Sequence, residues 1–132
     1  MGIENFIAKD NFAKWLGIEL LEVSEGKAKA KLEITDNHLN AVNIVQGGVI
    51  FSLADLALAA ASNSYGTISL LLNANISYFK ASDKSTLFAE ATEVSNNYKT
   101  ASYTIKVTNS NNDLIALLQG LVYRKKDKIT IE

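Results

Sequence analysis

The sequence predicts an α+β fold in which one curved antiparallel sheet wraps a long central helix. Two observations carry this. The stretch from about Gly47 to Ser64 is apolar on nearly every side at helical spacing, so it must be covered on most of its faces. The chain after it switches to alternating runs joined by short polar turns, the pattern of an antiparallel meander. One sheet and one fully apolar helix have a simple packing solution, in which the sheet curls around the helix.

Each element has its own signal. Phe6, Ile7, Phe12, Trp15 and Leu16 are spaced for a short amphipathic helix over about 4–16, with Gly17 ending it. Residues 18–24 read as a strand, and Glu25-Gly26 as a turn. In the next strand, 27–34, Lys27, Lys29, Lys31 and Glu33 fall on one side and Ala28, Ala30, Leu32 and Ile34 on the other, as in a half-buried strand with one wet face. Asp36-Asn37-His38 opens a polar connection to the double glycine Gly47-Gly48, where the central helix begins. Asn63, Ser64 and Gly66 mark its end. Strands are expected over 67–80, 85–94, 99–108 and 114–124, separated by turns such as Ser95-Asn96-Asn97 and 109–113.

Composition narrows the function. A chain of 132 residues with 48% hydrophobic and 20% charged residues suits one ordered domain, 1–132. A net charge of −1 supplies no broad footprint for nucleic acid. The absence of cysteine excludes disulfides and thiol catalysis, and a single histidine, His38, excludes a multi-histidine metal site; no metal or cofactor is expected. The N-terminus lacks a signal-peptide pattern, since Glu4, Lys9, Asp10 and Lys14 interrupt it. The apolar run 49–61 is too short to span a bilayer and contains Asp55. A cytoplasmic protein with no membrane partner is expected. A near-neutral charge with so much apolar residue also suggests that a partner subunit covers part of the surface.

Chemistry concentrates on the central helix. Steps of three and four link Gly48, Ser52, Asp55, Ala59 and Ser62 on one face, and every member is small or polar. Two readings follow. In one, small residues allow a close approach of another element, with Asp55 satisfied by backbone donors. In the other, the stripe lines a narrow substrate channel with Asp55 as its reactive group. The residues before the helix favour the second. Asn40, Gln46 and Gly47-Gly48 put amide side chains and a permissive backbone at a helix N-terminus, where a carbonyl oxygen would be polarised by backbone N–H and the helix dipole.

Asn40, Gln46-Gly47-Gly48-Val49-Ile50-Phe51-Ser52-Leu53-Ala54-Asp55 and Ser62-Asn63-Ser64 together resemble the PaaI-type hotdog-fold acyl-CoA thioesterases. Asn75-Ile76-Ser77-Tyr78-Phe79, Phe88-Ala89-Glu90-Ala91 and Ala116-Leu117-Leu118-Gln119-Gly120 are similar to that family's later strands, so the likeness runs over roughly residues 15–124. It implies a hotdog fold, a homodimer that commonly pairs into a dimer of dimers, and an acyl-CoA substrate bound at the dimer interface. Asp55 matches the family's catalytic general base or nucleophile, Gly47 the glycine whose N–H holds the thioester oxygen, and Asn40 the residue that positions water or substrate. Asn40 and Gly47 would come from one subunit and Asp55 from the other. Gln46, Gly48 and Ser52 are the expected substrate-binding residues.

Three departures from the family pattern stand out. Gln46 replaces the usual histidine of His-Gly-Gly; it can donate a hydrogen bond but cannot titrate. Leu70-Leu71-Leu72 has no serine or threonine to hold a water, and the proline common after Tyr78-Phe79 is missing. The loss of histidine keeps alive a second reading, a non-catalytic acyl-CoA or acyl-chain binder. A dehydratase or hydratase is a weaker third, because His38 is not placed to pair with the acid. His38 reads as a surface or turn residue, and Arg124, Lys125, Lys126 and Lys128 as a solvated tail with a contact to coenzyme A phosphates as the alternative. Trp15, Phe12 and Phe6 are expected to pack the N-terminal helix onto the sheet.

Overall fold

The computed structural model describes residues 2–129. Two short helices, α1 (Gly2–Ile7) and α2 (Asn11–Leu16), precede strands β1 (Glu19–Ser24) and β2 (Lys27–Glu33). A 3-10 turn at Asp36–His38 leads to the central helix α3 (Gly47–Asn63), followed by β3 (Thr67–Tyr78), β4 (Thr86–Asn96), β5 (Thr100–Thr108) and β6 (Leu114–Lys128). The six strands form one sheet in the order β1-β2-β4-β5-β6-β3, every neighbour antiparallel. Helix α3 touches all six strands. Strands about 4.8 Å apart make a ribbon roughly 24 Å wide, and a helix is about 10 Å across, so one helix reaches both edges only because the sheet curls around it. This is the architecture expected from the sequence.

The closeness of helix and sheet follows from side-chain size. Ala28 and Ala30 on β2 stand opposite Ala91 and Ala89 on β4, and all four are buried beneath α3. Helix residues Leu53, Ala54, Ala57, Ala60 and Ala61 are closed off from solvent, and Leu32, Leu87, Ile105, Val107 and Leu118 fill the rest of the core. Alanine on both surfaces lets the backbones approach, and the larger side chains interlock around that contact.

Two elements differ from expectation. The single helix expected over 4–16 is broken into α1 and α2. Asp10 takes an extended conformation (φ −72°, ψ 97°) and its carboxylate accepts the Ala13 N–H at 2.9 Å, so the side chain competes for the backbone and starts a new helix. Gly17, at φ 95°, ends α2 with its N–H on the Ala13 and Lys14 carbonyls. Strand β6 runs to Lys128 and not to 124, because β3 pairs with its far end, Thr67 opposite Lys128 and Ser69 opposite Arg124. The basic cluster is therefore the end of a strand and not a solvated tail.

The two sheet edges are unlike. β1 carries Glu19 and Glu22 and a bulge between Leu20 and Glu22, devices that discourage further pairing. β3 has twelve residues, no charged side chain, and Leu70, Leu71 and Leu72 all exposed. Leu53 is 0% exposed at the centre of α3. Leu53→Ala is expected to lower the unfolding free energy by about 2–5 kcal/mol, measured as an earlier midpoint in urea with an unchanged slope.

Candidate active site

The chain reaches α3 through a loop tied down at several points. The Asn40 Oδ1 accepts the N–H groups of Val42 (3.0 Å) and Ile44 (3.3 Å), and the Asn40 N–H donates to the Ile44 carbonyl at 2.8 Å. Asn43 turns the loop in the left-handed region at φ 64°. The Val45 N–H donates to the Ser82 carbonyl at 2.8 Å. The carboxamide oxygen of Asn40 is thus spent on shaping the loop. Its Nδ2 has no protein acceptor among the described residues and stays available as a donor.

His38 belongs to the same scaffold and is buried, so it is a turn residue but not a surface one. Its Nδ1 accepts the Thr35 N–H at 3.0 Å and its Nε2 lies 2.8 Å from the Leu16 carbonyl, an arrangement that assigns the neutral Nε2–H tautomer. Its own carbonyl accepts the Gln46 N–H at 2.9 Å. The imidazole therefore ties the end of α2 to the loop that opens α3.

Gln46 caps α3. Its Oε1 accepts the Gly48 N–H, and a Cβ at Gly48 would fall 2.8 Å from that oxygen, so a larger residue there would push the capping side chain aside. The Val49 N–H (2.9 Å) and Ile50 N–H (3.3 Å) both donate to the Gln46 carbonyl. Of the first four N–H groups of the helix, only that of Gly47 has no protein acceptor among the described residues. It sits at the positive end of the helix dipole, and the carbonyl of its own peptide accepts two hydrogen bonds, which polarises the N–H further.

Farther along α3, Gly48, Ser52, Asp55 and Ala59 are all at least partly exposed while the flanking Leu53, Ala54, Leu56, Ala57 and Leu58 are buried. The small-residue stripe lies on the side of the helix that the described residues leave partly uncovered, with Val49 and Phe51 partly exposed beside it in the N-terminal half. The Ser52 hydroxyl donates back to the Gly48 carbonyl at 2.7 Å. Ser62, the last residue of the stripe in sequence, is buried and stands apart from it. Asn63 binds the Ser69 N–H at 2.9 Å, and the Ser69 hydroxyl donates to the Ser62 carbonyl at 3.1 Å, a knot that closes the C-terminus of α3.

Asp55 has no hydrogen-bond or ion-pair partner among the described residues. Burial pushes its carboxyl above the ordinary carboxylate range, and repulsion from Asp10 adds to the shift. Eight residues of helix place Asp55 about 12 Å along the axis from Gly47. One thioester cannot touch both groups of the same chain. Among the described residues, five clefts are lined by other groups and not by Asp55 or Gly47; the one alongside α3, about 290 Å³, is walled by Ile7, Ala13, Ile18, Leu20 and Leu56. The acid and the free N–H are each partly exposed.

The basic cluster lies elsewhere. The Arg124 Nη1 donates to the Asn97 carbonyl at 2.7 Å and the guanidinium sits over the Tyr65 ring, while Lys125 pairs with Asp127 at 3.8 Å. Phe12 and Trp15 stack on each other at 6.1 Å on the outer side of α2, and Trp15 is exposed and does not pack on the sheet. Phe6 alone of the three packs against the core. Sequence reasoning missed Tyr78, whose hydroxyl donates to the Gly47 carbonyl at 2.8 Å from the end of β3.

The chain is similar to known proteins over most of its length. The family model of the thioesterase superfamily matches residues 42–116, from the loop before α3 into β6. A candidate esterase of Archaeoglobus fulgidus is 48% identical over 116 residues, 87% of this chain and 75% of the relative. The acyl-coenzyme A thioesterase PaaI of Escherichia coli is 34% identical over 93% of this chain and 89% of its own length. The solved structure of E. coli PaaI, a protein from the phenylacetic acid degradation operon, superposes with a TM-score of 0.94 over 98% of this chain and 94% of that one, at 31% identity. The chain belongs to the thioesterase superfamily, in its PaaI-type hotdog branch. No helix of the described residues is long and apolar enough to cross a membrane.

Asp10 caps α2 and also bears on Asp55, so its charge can be removed without losing the cap, asparagine being an equally good N-cap. If Asp55 must be ionised to act, activity falls as pH drops through its raised pKa. Asp10→Asn removes a neighbouring negative charge, lowers that pKa and should move the acid limb of the kcat/KM profile to lower pH. An unmoved limb would show that the titrating group is not Asp55.

Proposed function

We propose that this protein hydrolyses acyl-CoA thioesters to a free acid and coenzyme A, at sites built from two copies of the chain. The observation that carries the proposal is Asp55: a desolvated carboxylate, unpartnered among the described residues, on the partly uncovered side of the central helix. An acid held this way costs stability and has no structural task in the chain to offset it, which supports a role in the reaction.

The chemistry follows from the two groups. The thioester carbonyl oxygen takes a hydrogen bond from the Gly47 N–H of one protomer. Asp55 of the other acts as general base on a water that attacks the carbonyl carbon, or attacks that carbon itself. Negative charge gathers on the oxygen facing the helix N-terminus, and collapse of the tetrahedral intermediate breaks the carbon–sulfur bond and releases coenzyme A as thiolate, which takes up the proton removed from the water; where Asp55 itself attacks, collapse leaves an acyl-aspartyl anhydride, and water then breaks that anhydride bond to free the acid and restore the carboxylate. The Asn40 Nδ2 and the Gln46 Nε2 are donors available to the water or the substrate. Gln46 polarises but transfers no proton. Gly48 and Ser52 line the approach with small surfaces, their own polar groups already engaged.

Two copies are required because of the spacing of about 12 Å between Gly47 and Asp55 on one helix. The exposed β3 edge, with its three leucines, is the surface that supports pairing, and pairing of such dimers into tetramers extends the same proposal. The reaction consumes a water-soluble coenzyme A ester, which fits a cytoplasmic location.

Two experiments test the reading. Asp55→Asn should abolish most turnover of a panel of acyl-CoAs in a thiol-release assay while retaining the fold. Gly47→Pro deletes the N–H at the first helical position, where the backbone tolerates proline and Gln46, at ψ 134°, already has the conformation a following proline demands, but its ring displaces the Tyr78 phenol, so retention of the fold is checked first. The substitution should cost about 10²–10³ in kcat. Unfolding and re-pairing the two variants together should restore about a quarter of native activity, because half of the dimers are mixed and each has one intact site. No restoration from two folded, inactive variants sinks the shared site. Tight binding of acyl-CoA by the native protein with no thiol release would identify it as a binder.

Leu72→Lys, at an exposed position on β3, should convert the native dimer to a monomer in sedimentation and remove activity without unfolding the chain. A native protein that sediments as a monomer and still hydrolyses acyl-CoA overturns the two-chain site.

A further inference from the structure

The turn that bears the free Gly47 N–H is held from outside α3. Tyr78, the last residue of β3, donates its hydroxyl hydrogen to the Gly47 carbonyl at 2.8 Å, a contact 31 residues apart in sequence. Its ring also lies on the glycine itself: a Cβ at Gly47 would fall 3.3 Å from both Cζ and the hydroxyl oxygen. The two peptide planes that meet at Gly47 are thus each fixed. The Gln46 carbonyl on one side accepts the Val49 and Ile50 N–H groups, and the Gly47 carbonyl on the other accepts Tyr78. Glycine has the widest backbone freedom of any residue; here the plane that carries the N–H is held by the helix through the Gln46 carbonyl, and Tyr78 holds the adjoining plane, so the φ and ψ of Gly47 are fixed from both sides.

We propose that Tyr78 is a positioning residue for the reaction, its hydroxyl holding the Gly47 peptide so that the N–H is aimed at the thioester oxygen. This rests on the thioesterase reading above. Partial burial keeps the phenol in its neutral, donating form well above neutral pH. The clamp also has a mechanical source. Tyr78 ends the same bare edge strand that supports pairing with a second chain, so whatever seats β3 also seats the oxyanion donor. Gly47 and the strand that steadies it are then set by one assembly step.

Tyr78→Phe keeps the ring on Gly47 and removes only the hydroxyl, and the test reads it in two ways. Turnover of the acyl-CoA that the native protein cleaves fastest should fall about tenfold in kcat with KM unchanged, the effect of one lost hydrogen bond felt in the transition state. In the 1H–15N spectrum the Gly47 and Gly48 amides should shift and broaden while Gly26, Gly66 and Gly120 keep their positions. Native kcat overturns the proposal, and so does a change in KM alone, which would make the phenol a substrate contact. A fall in kcat with undisturbed Gly47 and Gly48 signals also overturns it, because the hydroxyl would then act on the substrate directly. Should the native chain release no thiol from any acyl-CoA, the hydrolytic reading fails by itself. The glycine amides then decide the clamp: disturbed signals support it and undisturbed ones end it.

Discussion

Burial of α3 is the constraint on which the rest depends. A helix apolar nearly all round cannot rest on a flat sheet, which would cover one side and leave the others in water. The six strands curl until all of them touch it, and the alanines of β2 and β4 let the backbones come close. Even so, a single sheet open at both edges cannot enclose a cylinder completely. The remaining gap falls on the stripe of Gly48, Ser52, Asp55 and Ala59, whose members are the ones that can face a polar or narrow space. The position of the candidate site is therefore set by what the fold leaves uncovered as much as by what it covers.

Along that helix the electrostatics are arranged in two places. At the N-terminus, the helix dipole and the doubly accepting Gln46 carbonyl favour negative charge near the Gly47 N–H, while the Gln46 side-chain oxygen satisfies the neighbouring Gly48 N–H. Two turns later Asp55 is raised by burial and, to a lesser extent, by Asp10, so its ionised form is a stronger base than an exposed carboxylate. The rigidity behind both comes from the loop. His38 fastens α2 to it, Asn40 shapes it, and Tyr78 presses on the turn from the far side. Each uses a neutral hydrogen bond, so none adds a charge that would compete with the acid.

Much of this was readable in the chain. Helix α3 announced itself because it is apolar on nearly every side, and the strands because each buries one side, as Lys27 to Glu33 does by strict alternation. What could not be read shares a physical cause. The break at Asp10 comes from a side chain competing with its own backbone, which apolar spacing does not register. The extension of β6 to Lys128 depends on its partner β3, distant in sequence. At the site, Asp55, Gly47 and Gln46 stood out by residue type and spacing. The cap made by the Gln46 oxygen, the use of the Asn40 oxygen within its own loop, and the burial of His38 depend on side-chain direction. Tyr78 left no local signal at all, because its contact with Gly47 joins the end of an edge strand to the start of a helix.

The unequal edges have a consequence for the life of the polypeptide before assembly. β1 is blunted by charge and a bulge, but β3 exposes a charge-free row of main-chain donors and acceptors beside three leucines. A chain newly released from the ribosome holds that seam open to any extended strand it meets, correct or not. The charges and bulge of β1 protect the other margin, so a misdirected strand has one place to add, along β3.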